Sequence, residues 1–326
     1  MVDVAFIVLC HHQIYFEMKI VALAGGVGGA KLAHGLAQIL PHEDLTIIVN
    51  TGDDFEHLGL YISPDLDTVC YTLAGLANPE TGWGRVNETW NAIENIERLG
   101  GQTWFHVGDQ DLATHIERTR RIKAGQSLSQ ITNDFCKAWG IHHAVIPMSD
   151  NPVRTIVNTD EGELPFQEYF VLRRCEPRVK GFRFDGIESA KPAPGIVDAL
   201  KKADAIVICP SNPWVSIAPI LSVTGMRSAM EAKKIYAVSP IIGGQAVKGP
   251  AAKMYRELGI QPSALAVARH YQNLITGFVF DEVDAKLEAE IQGLNMRTLI
   301  AKTLIENSDN RRRLAEDVLH FVGNQL

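Results

Sequence analysis

The stretch Gly25-Gly26-Val27-Gly28-Gly29-Ala30-Lys31 sets four glycines ahead of a lysine. Glycine admits positive φ and lets a ligand come close to main-chain N–H groups. Amides at a helix start, the helix dipole and a lysine ammonium all favour an anion, a phosphate above all. The third glycine of a dinucleotide fingerprint is absent, because Lys31 stands there. Ala30 and Leu32, on either side of Lys31, break the Walker A pattern. A tight turn whose glycines serve packing is the bland alternative. Oxygen chemistry comes from four further clusters: Asn50-Thr51-Gly52-Asp53-Asp54, Ser63-Pro64-Asp65-Leu66-Asp67-Thr68, Gly108-Asp109-Gln110-Asp111 and Ser211-Asn212-Pro213. Each also has a structural reading: Asp65, Asp67, Asp109 and Asp111 as helix-start residues, Asp53 and Asp54 as turn residues. Together, beside a phosphate loop, they match a Mg²⁺ and phosphate site, since hard cations take oxygen ligands. Asp53 and Asp54 are the metal candidates. Gly25, Gly26, Gly28, Gly29 and Lys31, with Ser211 and Asn212, are the phosphate and nucleotide candidates.

Two weaker signals accompany them. Ser239-Pro240-Ile241-Ile242-Gly243-Gly244 leads to Lys248-Gly249-Pro250, a second loop of glycines and a basic residue. Trp83 and Trp90 offer an aromatic wall or simple core packing. His34 and His115 read as packed or surface histidines, with no second histidine at metal spacing.

These residues must be positioned by elements. Lys19 to Ala24 reads as a buried strand and Leu32 to Leu40 as a helix, so the glycines join strand to helix. Leu45 to Val49 is a second strand, and Asp65 to Leu76 and Asn87 to Leu99 have helical spacing. Thr103 to Val107 suits a short strand. Asp111 to Gly140 is helical in pattern, with Ser127 as an N-cap. Strands are expected at Ala144–Pro147, Thr155–Asn158 and Glu168–Leu172, the last two joined by Asp160-Glu161-Gly162 as a hairpin. Strands at 205–209, 234–238 and 277–280 then alternate with helices at 194–201, 226–232, 251–258, 264–271 and 310–322. The alternation predicts an α/β fold, a Rossmann-like three-layer core with a mainly parallel sheet, plus a small helical lobe and a β-hairpin excursion. The expected domains are an N-terminal extension over 1–17, a core over 18–110 and 144–326, and a helical lobe over 111–143.

Composition sets the limits. The 326 residues are 46% hydrophobic and 21% charged, and the net charge of −7 argues against non-specific nucleic-acid binding. No apolar run approaches the roughly 20 residues of a membrane helix. Five scattered cysteines without C-x-x-C spacing fit thiols in a reducing cytoplasm. Residues 1–17 make a poor signal peptide, and Met18 directly precedes the first strand, so either Met18 is the natural start or the segment is an accessory arm.

The order Gly-Gly-x-Gly-Gly-Ala-Lys, Asn50-Thr51-Gly52-Asp53-Asp54, Ser63 to Thr68 and Gly82-Trp83-Gly84 resembles the 2-phospho-L-lactate transferases. So do Asn87-Glu88-Thr89, Gly108-Asp109-Gln110-Asp111-Leu112-Ala113-Thr114-His115, Pro210-Ser211-Asn212-Pro213 and Ser239-Pro240-Ile241-Ile242. The resemblance covers nearly everything from Met18 onward. It implies Mg²⁺-dependent transfer of a phospho-lactate-type group from a GDP-linked donor to the deazaflavin FO (7,8-didemethyl-8-hydroxy-5-deazariboflavin), releasing GMP and making coenzyme F-420. A Rossmann-like core, a homodimer and a cytoplasmic enzyme are implied with it. By the same resemblance Asp67 contacts the ribityl chain of FO and orients or deprotonates its hydroxyl. Asp65, His106 and Trp83 fall on the acceptor side, and Asp54 shares the catalytic role with Asp67. Gln110 stands where arginine is common in the family, and Asn151 where an acid is common. The three-carbon unit is left open among phospholactate, phosphoenolpyruvate and 3-phosphoglycerate. The non-enzymatic alternative is a nucleotide-sugar-binding regulator of the gluconeogenesis factor type, which shares the glycine loop but needs no acceptor pocket.

Overall fold

The computed structural model describes residues 18–325, and the expected extension at 1–17 lies outside them. Aliphatic runs make the first strands. β1 (Ile20–Ala24) is buried throughout and leads straight into α1 (Gly26–Ala37), so the helix begins inside the glycine run, earlier than its apolar spacing signals. β2 (Leu45–Val49) is followed by a small hairpin of β3 (Phe55–His57) and β4 (Leu60–Ile62), too short for periodicity to reveal. α2 (Pro64–Leu73) starts with a proline, where no N–H is needed. α3 (Asn91–Arg98), α4 (Asp109–Lys123) and α5 (Leu128–Ala138) come next. The helical pattern over 111–140 is two helices, parted at Gly125 with φ +87°. Ser127 caps the second in a reciprocal pair with Gln130, as its position predicts.

β5 (Ala144–Pro147) follows. β6 (Arg154–Thr159), β7 (Gly162–Pro165) and β8 (Val179–Asp185) make a separate antiparallel sheet in the order β7-β6-β8. The chain continues through α6 (Ile196–Lys202), β9 (Ala205–Ile208) and β10 (Lys234–Val238). A tiny hairpin of β11 (Ile241–Ile242) and β12 (Gln245–Ala246) precedes α7 (Ala251–Glu257) and α8 (Ala264–His270). β13 (Gly277–Asp281), β14 (Arg297–Ala301) and α9 (Ser308–Gly323) complete it.

Two expected strands are corrected. Thr103 to Val107 forms no strand; Trp104 and Phe105 instead pack against Phe55 and His57, and His106 against Trp90. Glu168 to Leu172 is a π-helical turn, not the second hairpin strand. Phe166 and Phe170 are one turn apart and stack at 5.5 Å, a helical contact that alternation cannot give. The hairpin itself is present, with Gly162 to Pro165 as its returning strand.

Seven parallel strands form the main sheet in the order β14-β13-β10-β9-β1-β2-β5. From β1 the chain runs outward through β2 to β5, then restarts at β9 beside β1 and runs the other way. β1 and β9 thus flank the topological switch point, where ligands bind at strand carboxyl ends. Val21 and Leu23 enter one buried cluster while Ile20, Ala22 and Ala24 enter the other, so the sheet is covered on both faces. Leu128 and Cys136 of α5 share that second cluster. No helix among the described residues is long and apolar enough to cross a membrane.

Candidate active site

A cavity of about 660 Å³ opens at the switch point. Gly25, Gly26, Gly28 and Lys31 line it from the β1 side and Ser211 and Asn212 from the β9 side. The glycines divide by cause. A Cβ on Gly25 would lie 2.5 Å from Asp65 Oδ2, and Gly26 has φ +62°. Gly28 and Gly29 serve close packing: a Cβ there would meet the Pro210 carbonyl at 2.3 Å or Ser211 Oγ at 2.5 Å. Gly29 is not among the residues lining the cavity. The Gly25 N–H donates to Ser211 Oγ at 3.2 Å, and that hydroxyl donates to the Gly25 carbonyl at 2.9 Å, tying the two loops together. Lys31 Nζ donates to the Ile305 carbonyl at 2.6 Å, and burial followed by Lys248 and Arg311 lowers its pKa. Lys248, on the loop after β12, faces the same space and donates to the Thr81 carbonyl.

Buried carboxylates line the same cavity. Asn50, fully buried after β2, donates through Nδ2 to Asp53 Oδ1 at 3.3 Å and to Asp65 Oδ2 at 2.9 Å. Gln167 donates to Asp53 Oδ2 at 3.1 Å. Burial, and then the charges of Asp65 and Asp54, push the Asp53 carboxyl well above its usual range. Burial lifts Asp65 to about 6 against hydrogen bonds from Asn50, Gly26 and Ser216. Both line the cavity; Asp54 is not among the lining residues. It accepts from Ser63 Oγ at 2.8 Å, and burial raises it to about 7 against the pull of Arg154 and the hydrogen bond from Ser63. The pair Asn50 brings together is Asp53 with Asp65, and a divalent cation fits these two close, desolvated, cavity-facing carboxylates.

Asp67 belongs to a second group. Its two oxygens accept from both terminal nitrogens of Arg118, one at 3.0 Å, and Arg118 is 2% exposed. Burial raises the Asp67 pKa, with Arg118 and His115 opposing. A carboxylate gripped at both oxygens orients a neighbouring hydroxyl better than it takes a proton. His115, read as a packed or surface histidine, is buried, yet it lines the cavity together with Asp111 and Tyr71. Tyr71 Oη donates to Asp111 Oδ1 at 2.7 Å. Asp111, His115 and Arg118 recur at i, i+4 and i+7 on α4, a polar stripe on the helix face turned inward. That periodicity was the available signal for Arg118, which motif reading alone passes over.

The motif residues around α4 turn out to be caps. Glu88 accepts from the N–H groups of Gln110 and Asp111, both at 2.8 Å. Asp109 in turn accepts from the N–H groups of Asn91 at 3.1 Å and Ala92 at 2.9 Å, at the start of α3. A Cβ on Gly108 would lie 2.2 Å from the Glu88 carboxyl carbon. Aromatic rings close the remaining walls. Trp83 lines the cavity while 50% exposed, and His106, exposed, sits 5.5 Å from the Trp90 ring. Phe166 and Phe170 face the cavity from the helical turn that follows β7.

Comparison with known proteins gives the family and the fold. The family model described as 2-phospho-L-lactate transferase CofD matches residues 20–309. A phosphoenolpyruvate transferase of Streptomyces griseus is 43% identical over 312 residues, covering 93% of this chain and 98% of its own. A 2-phospho-L-lactate transferase of Methanosarcina mazei is 40% identical over 299 residues, covering 92% and 99%. Among solved structures, a UPF0052 family protein of Bacillus halodurans is similar with a TM-score of 0.62 at 15% identity, covering 92% of this chain and 99% of its own, a likeness of fold.

Proposed function

The chain belongs to the 2-phospho-L-lactate transferase family, and we propose that it moves a phosphorylated three-carbon acid from a GDP-linked donor to the terminal ribityl hydroxyl of FO, releasing GMP. The acid is phospholactate, phosphoenolpyruvate or 3-phosphoglycerate; relatives named for the first two stand at nearly equal identity. One observation carries the reading. A single cavity joins a cationic, glycine-lined end at the β1–β9 switch point to an end walled by aromatic rings and buried hydrogen-bonding groups. The first end suits the diphosphate and the second a ring system with a hydroxylated chain.

The transfer needs little covalent help from the protein. The hydroxyl oxygen attacks the phosphorus bearing the three-carbon acid, the bond to the GMP oxygen breaks in line, and the hydroxyl proton passes to the phosphate oxygen of the departing GMP. Positioning and charge neutralisation dominate such a step. Lys31 and Lys248 hold the diphosphate and meet its charge. Asp67, pinned by Arg118, orients the attacking hydroxyl, and Trp83 and His106 shield the reacting end from water. Asp53 and Asp65 would hold Mg²⁺, with Asp54 supporting from behind; when bound, the ion would neutralise charge on the transferred group. A homodimer accompanies the reading.

The test is a mass-spectrometric transfer assay with FO, Mg²⁺ and each of the three GDP-linked donors. A product of FO plus the phosphorylated acid, with GMP, is expected from one of them and names it. No product from any donor, together with no FO binding, would favour the regulator alternative.

A further inference from the structure

His115 lies at the floor of the cavity and is 1% exposed. Its Nδ1 stands 3.2 Å from Arg118 Nη1. A guanidinium can only donate, so this nitrogen accepts and the proton of the neutral ring sits on Nε2. Nε2 is buried and has no hydrogen-bond partner among the described residues. Asp111 Oδ1, 3.4 Å away, makes at best a long, weak hydrogen bond to it. A buried donor without a good acceptor is costly, so an oxygen of the ligand is its natural partner.

The surroundings say which kind of oxygen. One ligating atom from each of Asp67, Asp111 and His115 lies within 4.8 Å of the others. A phosphate or carboxylate here would meet two carboxylates. A cation would meet the Arg118 guanidinium, which already occupies both Asp67 oxygens and His115 Nδ1. An alcohol fits, because it accepts from Nε2–H while donating to a carboxylate. We propose that His115 Nε2–H, flanked by Asp67 and Asp111, is a hydroxyl-selecting subsite for a polyol segment of the ligand. Arg118 is the positioning residue that fixes the ring's proton on the cavity side. This rests on the reading of FO as the acceptor and makes His115 its determinant of specificity for the ribityl chain.

Binding of FO, followed by tryptophan quenching, and of GDP, followed by calorimetry, is compared in wild type, His115→Phe and His115→Gln. Phenylalanine keeps the ring shape without the donor; glutamine keeps an N–H. His115→Phe should weaken FO by about tenfold or more and leave GDP affinity within about twofold, with part of the FO loss recovered in His115→Gln. A deazaflavin without ribityl hydroxyls should bind wild type and His115→Phe alike. Equal FO affinity in wild type and His115→Phe would overturn the proposal and leave the transferase reading standing. Parallel loss of FO, GDP and thermal stability in both variants would mark a structural residue and overturn it too. If wild type binds no FO, the acceptor reading fails and ribitol decides the subsite through ¹⁵N spectra of the imidazoles. A ribitol-dependent shift of the His115 Nε2 signal upholds the subsite, and an unmoved signal overturns it.

Discussion

At the scale of single residues, the ion pair of Asp67 with Arg118 ties stability to function most directly. Both side chains are almost wholly buried, and each neutralises the other. Removing one partner of such a pair strands a charge, at a cost of about 3–5 kcal/mol, whereas removing both costs far less. Arg118→Met should therefore lower the unfolding free energy steeply. Asp67→Asn with Arg118→Met should recover most of it, a coupling that denaturant titration of the four proteins would measure. Additive losses would mean that the pair does not hold the cavity floor together. The pair also marks the limit of motif reading. Asp67 sits in a motif and is found at once; Arg118 lies seven positions beyond Asp111 on the same helix, where only the face it shares with His115 gives it away. The glycines were legible as a ligand loop, but Gly28 and Gly29 answer to the Pro210–Ser211 loop across the sheet. No local pattern carries that contact.

Among the elements, buried strands and amphipathic helices were legible because burial writes itself as periodicity. β1, β2, β5, β9, β10 and β13 stand where their apolar runs predict. β14 has a partly exposed face at the sheet edge, β8 alternates charge with aromatics, and β3 and β4 are three residues each. None of these leaves the unbroken run that a central strand does. The Gly108 to Asp111 motif, read as possible chemistry, and the Asn87 to Thr89 motif, read only as part of the family resemblance, have a large structural part. Glu88 caps α4 and Asp109 caps α3 across a single junction. Loss of one cap costs about 1 kcal/mol. Glu88→Ala should lower stability by about that much yet reduce FO affinity disproportionately, because the first turn of α4 carries Asp111 toward the cavity. Glu88→Gln, which keeps the acceptor, should restore both. Thermal melts beside FO titrations would separate the effects, and a stability loss with unchanged FO affinity would show that the cap does not hold the floor.

For the whole molecule, the fold stores carboxylates where their charge is unwelcome. Asp53, Asp54 and Asp65 are all raised in the folded protein, Asp54 to about 7 and Asp65 to about 6. An unfolded aspartate titrates near 3.9. Between these values the folded chain binds more protons than the unfolded chain, so stability must fall as pH rises from about 4 to beyond 7. The metal-free protein should accordingly melt at a higher temperature near pH 5.5 than near pH 8. A ligand that prefers the deprotonated carboxylates acts in the opposite sense, and its stabilisation grows with the fraction ionised. Mg²⁺ should therefore raise the melting temperature at pH 8 and do little at pH 5. The positions of the three carboxylates then assign the effect. Asp53→Asn and Asp65→Asn face the cavity and should abolish the Mg²⁺ response. Asp54→Asn sits behind it and should flatten the pH dependence of the metal-free protein while keeping most of that response. Loss of the Mg²⁺ response in Asp54→Asn would instead make Asp54 a ligand, and an unchanged response in Asp65→Asn would remove Asp65 from the metal site. The switch point would then join a phosphate loop to a different set of oxygens from the one Asn50 draws together.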